Sequence, residues 1–236
     1  MTSSQPARLI RVAEGLWTAP APLRFWGLDL NTRMTVCRLA DNGLALISPV
    51  AISDELRAEV DALGPVRVVI SPNLLHHLYV AEWLEAYPSA RGYVPPGLAA
   101  KRAELKHLEE LGDRFDAALG ADLLRVPIAG MPRLNESLFF HRSSATLVAA
   151  DFCFHMPLTT EQNGLTRIFT ACMRIRDTAR CEPYFLAMVN DKKTFRASLE
   201  PLRVLTPSHL SMCHHSVLSA GATEALQQVL DQVGVR

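Results

Sequence analysis

The chain has 236 residues, with 24 Lys+Arg against 24 Asp+Glu and a pI near 7.1. Zero formal charge argues against a protein that works chiefly by charge, nucleic-acid binders above all, since those need a basic balance or stripe. With 49% hydrophobic and 20% charged residues the sequence is globular. At this length it can bury roughly three-quarters of its unfolded surface, so neither disulfide nor metal is needed merely to fold.

The first fifty residues predict strands at 7–12, 15–19, 23–30, 32–40 and 43–48, short and partly alternating, with Asp41-Asn42-Gly43 as a turn signal. Ser53 then caps a helix whose Leu56, Val60 and Leu63 share a face. Gly64-Pro65 stops it, and 66–70 reads as a buried strand. A second helix is expected over 77–87. Leu105, Leu108, Leu111 and Phe115 predict one amphipathic helix over 98–119. Strands return at 122–126, 137–141 and 145–150. The stretch 160–200 is mostly helical, 204–206 is the expected last strand, and a final helix carries Leu218, Ala222, Leu226, Val229 and Val233.

Two strand-rich halves, each followed by helices, predict an α/β fold of four layers, an αβ/βα sandwich with two mixed sheets flanked by helices. No linker divides the chain, so 1–236 is expected to be a single domain. The five cysteines are an odd count without a CxxC pair, which points to free thiols in a reducing compartment. The N-terminus has no apolar signal core, and no run approaches the ~20 apolar residues of a membrane span. A cytoplasmic location is expected, with no membrane partner and no nucleic acid. Trp17, Phe25 and Trp26 are assigned to core packing, and a homo-oligomer is left open.

Eight histidines are present, and three places put ligand-type residues just past an expected strand. His76-His77 follows 66–70, Asp151 ends 145–150, and His209 follows 204–206. Imidazoles with one carboxylate suit zinc, iron or manganese. The duller alternatives are a helix-start pair for His76-His77, an N-cap for Asn73, a packed or rim residue for His155, and rim positions for His214 and His215. Glu136 and His141 flank a strand on opposite faces, so at least one of them is structural. His107 is expected in solvent. Nucleophile elbows, Walker loops and His-Glu-x-x-His are absent.

Gly43-x-x-x-x-Ser48-Pro49, Asn73-x-x-His76-His77, Glu136-x-x-Phe139-Phe140-His141 and Pro207-x-His209 together resemble a domain-of-unknown-function branch (DUF4336-like) of the metallo-β-lactamase-fold superfamily, over most of the chain. The resemblance maps the superfamily's His-x-His-x-Asp-His loop onto 72–77. His77 then falls on its last histidine and His76 on its aspartate, while Pro72 and Leu74 stand where two histidines would be. Asp151 matches the bridging aspartate and His209 the final histidine. A further histidine expected near Gly130-Met131-Pro132 is missing. These departures imply one divalent ion rather than two, or none, held by His76, His77, Asp151 and His209, with zinc preferred over iron or manganese. The implied function is a metal-dependent hydrolase in which metal-bound hydroxide attacks an ester, thioester or phosphoester-like small-molecule substrate. The alternatives are a non-catalytic binding or oligomeric scaffold and, third, a redox iron enzyme.

Overall fold

The computed structural model describes residues 7–160, 162–214 and 216–235. The first half contains β1 (Ile10–Ala13), β2 (Leu16–Ala21), a small hairpin of β3 (Arg24–Phe25) and β4 (Leu28–Asp29), β5 (Thr32–Arg38) and β6 (Leu44–Ile47). It continues with α1 (Asp54–Leu63), β7 (Val66–Ile70), α2 (Val80–Ala86), β8 (Arg91–Val94), α3 (Leu98–Lys101), β9 (Glu109–Glu110) and α4 (Asp113–Leu119). The second half is β10 (Leu123–Pro127), β11 (Ser137–His141), β12 (Thr146–Ala149), α5 (Gly164–Met173), α6 (Pro183–Leu186), α7 (Lys192–Leu199), β13 (His209–Met212), β14 (Val217–Leu218) and α8 (Ala222–Val233).

Two sheets form the middle of the molecule. One runs β1-β2-β5-β6-β7-β8-β9, antiparallel up to β6 and parallel from there on. The other runs β10 to β14 in order, antiparallel except for the parallel β12–β13 pair. Period-two alternation sorts their side chains into layers. Ala45, Ile47, Val68 and Ile70 face Phe139 and Val148 of the opposite sheet, while Leu44, Leu46, Val66 and Val69 face α1 and α2 through Leu56, Val60 and Trp83. Leu138, Leu147, Ala149, Leu210 and Met212 turn the other way, onto α7 and α8. This is the expected four-layer sandwich. No helix among the described residues is long and apolar enough to cross a membrane.

The capping logic of α1 holds in detail. Ser53 Oγ accepts the Leu56 amide at 3.2 Å, and Gly64 ends the helix at φ 149. A Cβ at Gly64 would lie 2.8 Å from the Asn42 carbonyl oxygen, so glycine is required there.

Three elements differ from expectation. The helix read over 98–119 is broken into α3, a 3-10 turn at Ala103–Leu105, β9 and α4. Arg102 leaves helical geometry at φ −135, and Glu109–Glu110 pairs with Tyr93–Val94 as an edge strand. Sheet pairing and burial of Leu105 thus override helical spacing. The strand read at 204–206 is instead the end of a 3-10 turn, Glu200–Val204, and the strand begins at His209. Phe25 and Trp26 are not packed inside: they stack on each other at the hairpin tip, with Trp26 74% exposed.

Candidate metal centre

The carboxyl ends of β6, β7, β12 and β13 open at one edge of the sandwich, where α/β folds collect ligand groups on loops. After β7 the chain turns tightly. Asn73 Oδ1 accepts the amides of Leu75 and His76, both at 2.9 Å, and Ser71 Oγ donates to the carbonyls of Asn73 and His76. The loop is tied to the other sheet, with the Leu74 amide on the Leu134 carbonyl and the Ser137 amide on the Pro72 carbonyl, both at 2.9 Å. This turn delivers the His76 ring to Ser48, whose Oγ lies 2.7 Å from Nδ1. His76 Nε2 then points at Asp151 Oδ2, 3.4 Å away.

Asp151 and His214 come from the parallel pair. Thr146 lies opposite His209 and Ala149 opposite Met212, so both chains leave the sheet side by side two residues later. His214 Nε2 is 3.2 Å from Asp151 Oδ1, and its Nδ1 donates to the Asn31 carbonyl at 2.7 Å. Phe154 lies flat on the His214 ring, 4.9 Å between centroids, and holds it in plane. Both groups that anchor the rings have left-handed backbones, Asn31 at φ 48 and Ser48 at φ 55. Asn tolerates that region, but in Ser it stores roughly 1 kcal/mol or more of strain, maintained because the surroundings fix it.

One atom each from His76, Asp151 and His214 lies within 4.8 Å of the others. Each imidazole faces its own oxygen of the one carboxylate, His76 Nε2 at 3.4 Å from Oδ2 and His214 Nε2 at 3.2 Å from Oδ1, close to the spacing of about 3.4 Å between donors of a tetrahedral ion. The chemistry of the donors agrees. The Asn31 carbonyl can only accept, so it fixes the His214 proton on Nδ1 and leaves Nε2 facing a carboxylate. Either a second proton or a cation must lie between them. Burial opposes charging His214, but the Asp151 hydrogen bond wins and raises its pKa. Burial likewise opposes the Asp151 charge, and the flanking imidazoles still hold its carboxyl well below the usual range.

Glu136 is buried directly behind Asp151. Its Oε1 accepts the amides of Ala150 and Phe152 at 2.9 and 3.2 Å, and its Oε2 accepts the Asp151 amide and Asn73 Nδ2 at 3.0 and 3.1 Å. Burial and then the Asp151 charge push its carboxyl upward, against the pull of these donors. Asn73 Nδ2 also donates to Asp151 Oδ2 at 2.8 Å. Asn73 therefore acts both as the turn-former and as the clamp on Asp151.

The structure brings His76 and Asp151 together and leaves His77 and His209 outside this cluster. His77 is turned to the opposite side, where its Nδ1 accepts from Arg102 Nη1 at 3.0 Å. His209 opens β13 rather than following a strand, which puts it about 16 Å along the chain from His214, at the far end of the sheet. His214, read from sequence as a rim position, occupies the place assigned to His209. The usable signal was Leu210-Ser211-Met212, an alternating run ending just before it. His141 is structural, bonded to Ser144 Oγ and the Arg38 carbonyl, and His107 is exposed. His215 lies outside the described residues.

Burial, then Lys101 and Arg102, lower the His77 pKa from 6.5 to about 4. His77 is thus neutral in the fold while the unfolded chain takes up a proton, so stability is lost as pH falls from 6.5 toward 4, by about 1–2 kcal/mol with solvent screening of the half-exposed ring. His77→Gln should flatten this acid limb of stability. Urea midpoints of native and variant measured from neutral pH to pH 4 decide it, and parallel curves would assign the limb to other groups.

A family model described as "Domain of unknown function (DUF4336)" matches residues 14–183. No curated protein matches in sequence. Among solved structures, a metallo-beta-lactamase from Pontibacter korlensis matches with TM-score 0.62 at 11% identity, over 98% of this chain and 100% of that one. A metallo beta lactamase from Erythrobacter litoralis, with beta mercaptoethanol in its active site, gives 0.62 at 12% over 97% of each chain. The metallo-beta-lactamase FIM-1 from Pseudomonas aeruginosa, in its mono-zinc form, gives 0.59 at 11% over 99% and 98%. Identities this low establish the shared fold and no activity.

Proposed function

The chain belongs to the DUF4336 family, and from that premise we propose that it is a metal-dependent hydrolase with a one-ion centre held by His76, Asp151 and His214. The observation that carries this is the pair of imidazole Nε2 atoms facing one carboxylate, with each opposite nitrogen already bonded. Anchored rings of this kind are the usual support of histidine ligands. Two imidazoles and a carboxylate favour zinc, with iron or manganese as alternatives. Such an ion, when bound, acts as a Lewis acid and lowers the pKa of water toward ~7.

The protein's own residues set the rest. Asn73 and Glu136 fix Asp151, Ser48 and Asn31 fix the rings, and Phe154 keeps one flank of His214 dry. A single ion fits, because Pro72, Leu74 and the buried Met131 offer no donors and the Asn73 amide occupies an Asp151 oxygen. Exposed Phe25, Trp26, Leu165 and Tyr184 supply apolar contact for a small-molecule ester, thioester or phosphoester-like substrate. We place the protein in the cytoplasm, consistent with its five free cysteines.

Metal analysis of protein purified without chelator should find about one equivalent of zinc, iron or manganese. His76→Ala and His214→Ala should weaken binding by about 100-fold or more, whereas His209→Ala should not. Native protein holding under ~0.1 equivalent, and taking up none when metal is added, would sink the proposal. That outcome would favour the scaffold reading, to which Pro72, Leu74 and Met131 already lend weight.

A further inference from the structure

The two kinds of charge balance over the whole chain but not along α5. Between Gly164 and Arg180 the sequence holds Arg167, Arg174, Arg176 and Arg180 against one acid, Asp177. Arg167 and Arg174 are exposed, and neither forms an ion pair with any described residue. Leu165, Ile168 and Cys172 follow at steps of three and four, so they share one stripe of the helix. That stripe faces outward, with Leu165 53% and Ile168 64% exposed. Arg167, and Arg174 two turns on, lie along one side of it. The hairpin of β3 and β4 continues this face. Asn163 Nδ2 donates to the Gly27 carbonyl at 2.9 Å and the Asp29 amide to Thr166 Oγ1 at 2.8 Å, while a Cβ on Gly27 would lie 3.4 Å from Leu165 Cδ2. The Asp29 carboxylate is engaged by the Asn163 amide and faces Arg24 at 3.8 Å. The hairpin turn sets Trp26 at φ 49 and Gly27 at φ 80, a pair of positions that suits Asn-Gly. A bulky ring there is an outlier, of the kind that persists where the strained group is used. The turn carries Phe25 and Trp26 outward, stacked at 4.7 Å, with Tyr184 6.3 Å from Trp26.

A contiguous exposed apolar patch marks a partner protein or a membrane, and charge decides between them here. In a symmetric pair of chains the face would meet itself and bring arginine against arginine. An anionic bilayer meets the same arginines with opposite charge. Its interface is also where Trp, Tyr and an apolar helix stripe rimmed by arginine settle. We propose that the hairpin tip and α5 form a docking surface for an anionic lipid membrane. Trp26, Leu165 and Ile168 enter the headgroup layer, and Arg24, Arg167 and Arg174 face the lipid charges. No membrane partner was expected from the sequence because no run is long enough to span; a contact lying in the interface plane needs no span. No metal takes part, so this surface stands or falls apart from the hydrolase reading.

Vesicle flotation of the full chain tests this. Vesicles of phosphatidylcholine with about 30 mol% phosphatidylglycerol should bind at least about tenfold more protein than phosphatidylcholine alone. Raising salt from about 0.1 to 0.5 M should release most of it. Ile168→Ser and Arg167→Glu should each lower binding by about tenfold or more, with Tm unchanged because both side chains lie in solvent. Trp26→Asn restores the residue the turn prefers, so it should hold or raise Tm while weakening binding to a similar degree. Recovery that is nil with both vesicle types, or equal with both, overturns the proposal. So does binding that survives all three substitutions. A Tm lower by several degrees in both Trp26→Asn and Ile168→Ser would make the face part of the fold instead. A native chain that sediments as a dimer, and as a monomer once Ile168 is replaced, would assign the face to a second copy and overturn the membrane reading.

Discussion

Glu136→Gln is expected to lower stability by about 3–5 kcal/mol, although it changes one atom. The Glu136 carboxylate accepts from four donors, two on each oxygen. An amide can present its oxygen to one pair only. Its NH2 then meets two buried N–H groups, and each lost acceptor costs about 1–3 kcal/mol. In a domain of this size the penalty corresponds to a Tm about 10 °C lower. The damage is local in origin, because three of the donors are the consecutive amides of Ala150, Asp151 and Phe152, which bend the chain off β12. Metal affinity should therefore fall with stability. Urea unfolding in mildly alkaline buffer measures the cost. A loss under ~1 kcal/mol would mean that the bend holds itself and that Glu136 merely fills space.

Asn73→Asp should have a comparable effect of a different kind. The Asn73 Oδ1 bonds to Leu75 and His76 survive the change, but Nδ2, which donates to both Asp151 and Glu136, becomes a third carboxylate oxygen. Like charges about 3 Å apart repel by about 5 kcal/mol at an effective dielectric of 20, so one group must protonate or the loop must give way. We expect a loss of about 3–5 kcal/mol in metal-free protein. The added carboxylate also restores an acceptor where the native chain has a donor, so a divalent cation should rescue the variant more than it stabilises the native protein. Saturation at 100 times Kd contributes about 2.7 kcal/mol. Melting curves with and without zinc read both effects. Equal zinc shifts in the two proteins would falsify the view that Asn73 limits the centre to one ion.

Much of this was legible because the signals are local. The Ser53 cap, the Gly64-Pro65 stop and the alternation of 44–47 and 66–70 each follow from chemistry within a few residues. His76 and Asp151, which the structure brings together, carry the same kind of signal, a ligand-type residue just past an apolar strand. What failed was register. Val204-Leu205-Thr206 has β-forming residues, but the chain there completes a 3-10 turn after Pro201, and the strand that pairs with β12 starts five residues beyond Val204. That offset moved the expected histidine from one end of the sheet to the other, so His209 was assigned in place of His214. His76 and His77 could not be told apart either. Their directions depend on Ser48 and Arg102, which are 28 and 25 residues away respectively.

The bond from His214 to the Asn31 carbonyl joins positions 183 apart in the chain. The contact between Thr35 Oγ1 and Ser211 Oγ, 176 apart, lies close by. Neither half can offer a finished ligand set, because His76 belongs to one sheet and Asp151 and His214 to the other. Contacts of such sequence separation form late, after the loop-closure entropy of the intervening chain has been overcome. A refolding molecule should thus gain its affinity for metal only in its slowest phase, when the two sheets meet, and zinc added to unfolded chains should leave the earlier phases unchanged.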